Sequence, residues 1–169
     1  MVKMPKYAQL EIERRMRIPP ELLPDLTSLP YTEIEDRYID AGRMRLRKMT
    51  EFGATKSIYK LCKKYGSIGK YEEPIVNIYL TKEEYESFQI LPGRDLVKRR
   101  YRYEYQGHCF SIDAHTGRWA GLYLCECEAA STSELLETAF PPFAVEDVTE
   151  DTRYTGAGLA QAHADLRRS

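Results

Sequence analysis

Residues 7–18 read YAQLEIERRMRI, and the alternation inside this stretch decides the fold. In a β-strand successive side chains point to opposite faces. Glu11, Glu13 and Arg15 then share one face, while Leu10, Ile12, Arg14 and Met16 share the other. A face carrying two acids and a base is not an ordinary core face. The same pattern returns along the chain. GRMRLRKM sets Arg43, Arg45 and Arg47 opposite Met44 and Leu46, and DLVKRRYRYEY sets Lys98, Arg100 and Arg102 on one side. FSIDAH opposes Asp113 to Phe110 and Ile112, and LCECEA opposes Glu126 and Glu128 to Cys125 and Cys127.

Alternation dominates the rest of the chain as well, and 13 tyrosines suit strands better than a helical bundle. The expected class is mainly β. Strands are expected near 7–18, 34–40, 43–49, 56–64, 72–80, 95–105, 108–114 and 120–129, with a short extended piece at 145–149. The turn signals IDAGR, EFGAT, YQGH and HTGR separate them into a succession of antiparallel hairpins. Thr81 with Glu84 and Ser131 with Glu134 are capping-box pairs that predict two short helices. GLAQAHADLRR reads as a terminal helix. Residues 19–30, with Pro19, Pro20, Pro24 and Pro30, predict an irregular crossing.

A chain of 169 residues is expected to form one domain, and 43% hydrophobic with 30% charged residues describes a globular protein. The 25 basic and 26 acidic residues nearly cancel, so no global field steers the chain to nucleic acid or a membrane. The N-terminal residues lack a signal-peptide apolar run, and no segment approaches the roughly 20 apolar residues of a membrane span. A cytoplasmic protein with reduced Cys62, Cys109, Cys125 and Cys127 is expected. The spacing of the cysteines is not that of a zinc site. His108, His115 and His163 fall in turns and the tail, which predicts surface roles. Strand tyrosines leave a homodimer open as readily as packing under the helices.

Each polar face, taken alone, reads as the wet side of a sheet. Taken together they read differently. Wet faces mix residue types, whereas here some strands offer acids and others bases. A closed barrel would gather them in one interior, where ionised groups must be paired or must bind something. Clustered carboxylates suit Mg²⁺ or Mn²⁺, and clustered Arg and Lys grip phosphate oxygens. Such a cavity suits a metal-bound polyphosphate.

These residues resemble the CYTH, or triphosphate tunnel metalloenzyme, superfamily. Its first-strand signature E-x-E-x-K is met by Glu-Ile-Glu-Arg-Arg at 11–15. MRLRKM, LVKRRYRY, FSIDAHTG, GLYLCECE and FPPFAVEDVTEDTRYTGAGLA are similar to its later motifs, in order, from about residue 8 to 161. Arg15 stands where the motif has lysine, and Phe143 where it has tryptophan. The resemblance implies a closed antiparallel eight-stranded barrel forming a tunnel, with short helices outside. It implies metal-dependent hydrolysis of a triphosphate substrate, most often inorganic tripolyphosphate. Glu11, Glu13, Glu126 and Glu128 would be the metal-binding acids, with Asp113 close by. Glu11, Glu13, Arg15 and Glu126 would carry the catalysis. Arg45, Arg47, Lys63, Lys98, Arg100 and Arg153 would hold phosphates, and Glu72 matches a further acidic position. Lys60 lies on a different parity from Lys63, and either can enter the tunnel. Relatives use thiamine or nucleoside triphosphates, or cyclise ATP in the manner of class IV adenylate cyclases. Non-catalytic polyphosphate binding and a barrel of purely structural ion pairs are the readings of other classes.

Overall fold

The computed structural model describes residues 4–40 and 42–162. Eight antiparallel strands close into a barrel: β1 (Gln9–Ile18), β2 (Tyr31–Ile39), β3 (Met44–Glu51), β4 (Ser57–Lys64), β5 (Glu72–Leu80), β6 (Gly93–Tyr105), β7 (His108–His115) and β8 (Tyr123–Glu128). Around the sheet the order is β5-β4-β3-β2-β6-β7-β8-β1, and β1 closes it by pairing back onto β5. The strand expected at 34–40 starts three residues earlier, because Tyr31 and Thr32 pair with Tyr101 and Arg100 of β6.

β1 is the closing piece. Along Glu13–Ile18 it pairs with β8, whereas Gln9–Ile12 pair with Ile75–Glu72 of β5. Beyond that contact, the two-residue β9 (Glu146–Asp147) pairs with Arg17 and Met16. Thr149 extends the cover, its hydroxyl accepting the Arg15 N–H at 2.9 Å. β9 and Thr149 thereby cover part of the β1 edge that β5 leaves, which shortens the open edge that is the usual liability of a β protein.

The turns follow their residues. Between β6 and β7, Gln106 and Gly107 have φ of 48° and 79°, the left-handed pair that a two-residue hairpin requires. Helix α1 (Lys82–Phe88) starts at a full capping box, with Thr81 Oγ1 accepting from Glu84 N–H and Glu84 from Thr81 N–H. Helix α2 (Thr132–Glu137) is capped by Ser131, and α3 (Gly156–Gln161) by Thr155. The terminal helix expected from GLAQAHADLRR is seen through Gln161. Its remainder, with His163, lies outside the described residues. No described helix is long and apolar enough to cross a membrane.

Apolar side chains collect in two places. Outside the barrel, Ile12, Met16, Ile18, Phe110, Ile112, Cys125 and Cys127 pack under Leu135 of α2 and under Leu26 and Ala144 of the connecting segments. Inside, Leu96, Leu122 and Leu124 fill one end of the barrel against Trp119, Val148, Tyr154 and Leu159. The Trp119 indole N–H donates to Leu159 O at 3.0 Å. A Cβ on Gly156 would stand 1.7 Å from the Tyr38 hydroxyl, so glycine lets α3 seat against the barrel end. The charge alternation alone predicts a lined tunnel, but one end of it is an apolar plug.

Candidate active site in the barrel interior

Residues directly opposite on paired strands share a face, so the register fixes which side chains enter the barrel. Arg15 opposes Glu126, Glu13 opposes Glu128 and Glu11 opposes Glu73. Arg100 opposes Asp113, Asp36 opposes Arg47, and Arg45 opposes both Tyr38 and Cys62. All of these point inward. Cys125 and Cys127 point outward beneath α2, where burial pushes both thiols up in pKa.

Above the plug the interior carries paired charges. Asp36 takes two hydrogen bonds from Arg47, Nε at 2.6 Å and Nη2 at 2.7 Å, with Arg45 Nε 3.7 Å away. Asp113, fully buried, takes both Arg100 donors at 2.7 Å and the Lys98 ammonium. Glu126 accepts from Arg15 Nε at 2.8 Å and from Arg100 Nη2 at 2.5 Å, and Arg15 also reaches Glu13. Burial opposes ionising Asp36, but Arg47 and then Arg45 override it and hold the carboxyl at about 2. Burial and Asp113 likewise oppose ionising Glu126, and Lys98, Arg15 and Arg100 bring it to about 2. Asp113 falls lower still through Arg100 and Lys98, against its burial.

Farther from the plug the balance reverses. Glu11, Glu13 and Glu128 bring one carboxylate oxygen each within 4.8 Å of one another. Burial, and then repulsion from Glu126, raises Glu13 to about 7, and burial followed by Glu11 raises Glu128. The raised Glu13 and Glu128 beside the Glu11 carboxyl form a crowding of acids that a divalent cation relieves. Hard oxygen donors of this kind fit Mg²⁺ or Mn²⁺. Lys64 closes the group, bonding Glu11 at 2.6 Å and Glu73 at 3.1 Å. Among the described residues, the buried side-chain polar atom with no hydrogen-bond partner is Arg45 Nε. A buried donor left open in a cationic layer is a position for an anion.

The structure corrects several expected positions. Lys63 opposes Met44 on the outer face, its ammonium 5.9 Å from the Tyr65 ring centroid. Lys64 enters in its place, and Lys60 shares that inner face, 4.8 Å from the centroid of Tyr79. Glu72 points outward and accepts the Thr132 hydroxyl at 2.5 Å, beside α2, while Glu73 points inward. Glu126 and Asp113 do not join the carboxylate trio, because Arg15, Arg100 and Lys98 hold them nearer the plug. Arg153 is exposed and bonds Asp151, with Nη2–Oδ2 at 2.6 Å. His115 is not a surface residue. It is buried beside Lys98 with Nδ1 3.2 Å from Leu122 O, and burial, then Lys98, lowers it to about 4. Asp36 is absent from the sequence expectations, and charges at 33, 35, 36 and 37 explain why: neither face of β2 stands out as polar.

No family model and no curated protein matches the chain. Solved structures do. Two crystal structures of NE1496, one described as a hypothetical protein and one as an inorganic triphosphatase, match at 26% and 25% identity, each with TM-score 0.59. The matches span 90% of this chain and 98% and 95% of theirs. A candidate adenylate cyclase from Bacillus halodurans matches in fold at 14% identity and TM-score 0.54, over 77% of this chain and 86% of its own. PH1819 protein from Pyrococcus horikoshii OT3 does so at 18% and 0.52, over 75% and 82%.

Proposed function

From a barrel of the triphosphate tunnel metalloenzyme type, which this chain resembles in fold and in motif order, we propose that the protein hydrolyses a small-molecule triphosphate, inorganic tripolyphosphate first. The observation that carries this is one interior holding both a carboxylate trio and, beside it, a layer of arginines and lysines with an unsatisfied buried donor on Arg45. Such an interior would offer ligands for a cation and for a chain of phosphates within one space.

Mg²⁺ or Mn²⁺ would be held by Glu11, Glu13 and Glu128, and would supply Lewis-acid charge against the phosphate oxygens. The rest follows from this chain's own side chains. Lys98 and Arg100 take phosphate oxygens, the arginine through its planar fork, while Arg47, held by Asp36, and Arg45 add positive charge beside them. Arg15, bonded to both Glu13 and Glu126, keeps those carboxylates aimed while adding a positive charge beside them. The carboxylates accept the hydrogens of the attacking water and so orient its oxygen. A new P–O bond forms to that water as the bridging P–O bond breaks, and the basic layer neutralises charge building on the departing diphosphate. Arg15 in the lysine position preserves the charge and widens the hydrogen-bonding head.

The test is direct. The purified protein is incubated with Mg²⁺ or Mn²⁺ and tripolyphosphate, ATP or thiamine triphosphate, and orthophosphate, pyrophosphate and cyclic AMP are measured. Orthophosphate from tripolyphosphate supports the reading. Pyrophosphate with cyclic AMP from ATP replaces it with a cyclase. Thermal stabilisation by tripolyphosphate without any product replaces it with a binding module.

A further inference from the structure

Arg45 and Arg47 are neighbours on the inner face of β3, yet their donors are used unequally. Arg47 is closed, with Nε and Nη2 both given to the Asp36 carboxylate. Arg45 is open, its buried Nε bonded to nothing and 3.7 Å from the same carboxylate. An arginine fork accepts a carboxylate in the geometry in which it accepts two phosphate oxygens. Asp36 therefore occupies the fork of Arg47 as a phosphate would. Its own side chain is 1% exposed, and its partner on β6 is Leu96, part of the apolar plug. One inward position beyond Asp36, toward the plug, β2 and β3 set Tyr38 opposite Arg45.

We propose that Asp36 is a resident anion that fixes the depth to which a polyphosphate enters, a positioning residue acting through Arg47 and Arg45. This rests on the phosphate-binding reading of the interior given above. The innermost phosphate stops at Lys98 and Arg100. To reach Arg45, one inward position nearer the plug, it must take Arg47 from Asp36 and then lie against that carboxylate's charge. The bond to be cleaved is thereby kept beside Glu11, Glu13 and Glu128. Two effects of Asp36 then oppose each other: it weakens binding and it improves turnover. A carboxylate that merely neutralises two arginines for folding would produce no such opposition.

The test compares D36N and D36E with the wild type in two measurements. Tripolyphosphate binding is followed by calorimetry in EDTA, and kcat and KM for tripolyphosphate are measured with Mg²⁺, after circular dichroism has confirmed the fold. D36N frees the Arg47 fork and removes the repulsion, so binding tightens ~10-fold, KM falls, and kcat falls ~10-fold as the chain settles one position too deep. R47M placed in the D36N background abolishes the gain in affinity. D36E keeps the ion pair, and with it the fold, but advances the carboxylate into the phosphate layer, so binding weakens. D36N with unchanged or weaker binding, or D36E with unchanged binding, overturns the proposal, and D36E alone decides it should D36N fail to fold. Wild-type protein that binds tripolyphosphate without cleaving it sinks hydrolysis, and the three affinities still decide the role of Asp36. Wild-type protein that does not bind it sinks both.

Discussion

Glu11 and Glu73 face each other across the β1–β5 seam that closes the barrel, and they share one ammonium, that of Lys64, at 2.6 and 3.1 Å. Without Lys64 two acids would meet at the closure with no counter-charge. Burial disfavours the Lys64 charge, but Glu11 and then Glu73 more than compensate and raise its pKa. K64M is expected to lower the unfolding free energy by about 1–3 kcal/mol, between the values for exposed and buried pairs. K63M, on the outer face, is expected to stay within about 0.5 kcal/mol of wild type. Urea titration of both variants decides; equal losses would show that the two lysines are not on opposite faces.

The two glutamates of β8 divide their work. Glu128 belongs to the carboxylate trio, whereas Glu126 is held by Arg15 and Arg100. E128Q is expected to weaken Mn²⁺ binding by ~10-fold or more. E126Q is expected to leave Mn²⁺ affinity within a few-fold and to lower kcat by ~100-fold through the loosened arginines. Calorimetry with Mn²⁺, paired with the phosphate-release assay, reads both quantities. Equal loss of metal affinity in the two variants would return Glu126 to the metal group.

Metal binding and stability should depend on pH in opposite senses. Burial and then Glu126 raise Glu13 to about 7 from an ordinary 4.5, so between these values the folded chain holds a proton that the unfolded chain has lost. Stability in EDTA therefore falls as pH rises from about 4.5 through about 7. A cation must displace the same proton, so apparent Mn²⁺ affinity rises over that interval and levels off above it. E13Q should flatten the stability trend, leaving melting temperatures nearly constant across it. A wild-type melting temperature that climbs from pH 5 to 8 in EDTA would show that Glu13 is not the group in control.

Much of this interior was legible because one acid or base at every second position marks a strand face. β1, β3, β6 and β8 carry that mark, and the register turns the marked face of each inward. The failures came from doublets. At Lys63-Lys64 and Glu72-Glu73 either residue satisfies the composition, and only the register across β3, β4, β5 and β1 chooses between them. Asp36 was hidden among charges on both faces of β2. The plug was hidden for a different reason: Leu96, Leu122 and Leu124 continue the same alternation as Lys98 and Glu126, and nothing local says where the charged part of an inner face stops.

The thiols give a check on which way β8 faces. Cys62, Cys125 and Cys127 are buried, and Cys109 is exposed. Native protein treated with a chromogenic disulfide is expected to react quickly at Cys109 and slowly at the others, and C109S should remove the fast phase. Fast modification of Cys125 in the C109S protein would mean that α2 does not cover that face.

Leu159 is fully buried against Leu96, Leu122 and Leu124, and its carbonyl receives the Trp119 indole and the Arg118 guanidinium. L159A removes the side chain but keeps the carbonyl, so the loss is one of packing alone. It is expected to cost about 2–5 kcal/mol, the range for a buried leucine whose surroundings collapse incompletely. The basic layer is fixed by ion pairs among β2, β3, β6 and β7 that do not include α3. KM for tripolyphosphate should accordingly change less than about two-fold at a temperature where the variant is folded. Denaturant midpoints and steady-state kinetics on the same preparation test this. A large rise in KM without loss of stability would mean that the plug forms part of the substrate site rather than its floor.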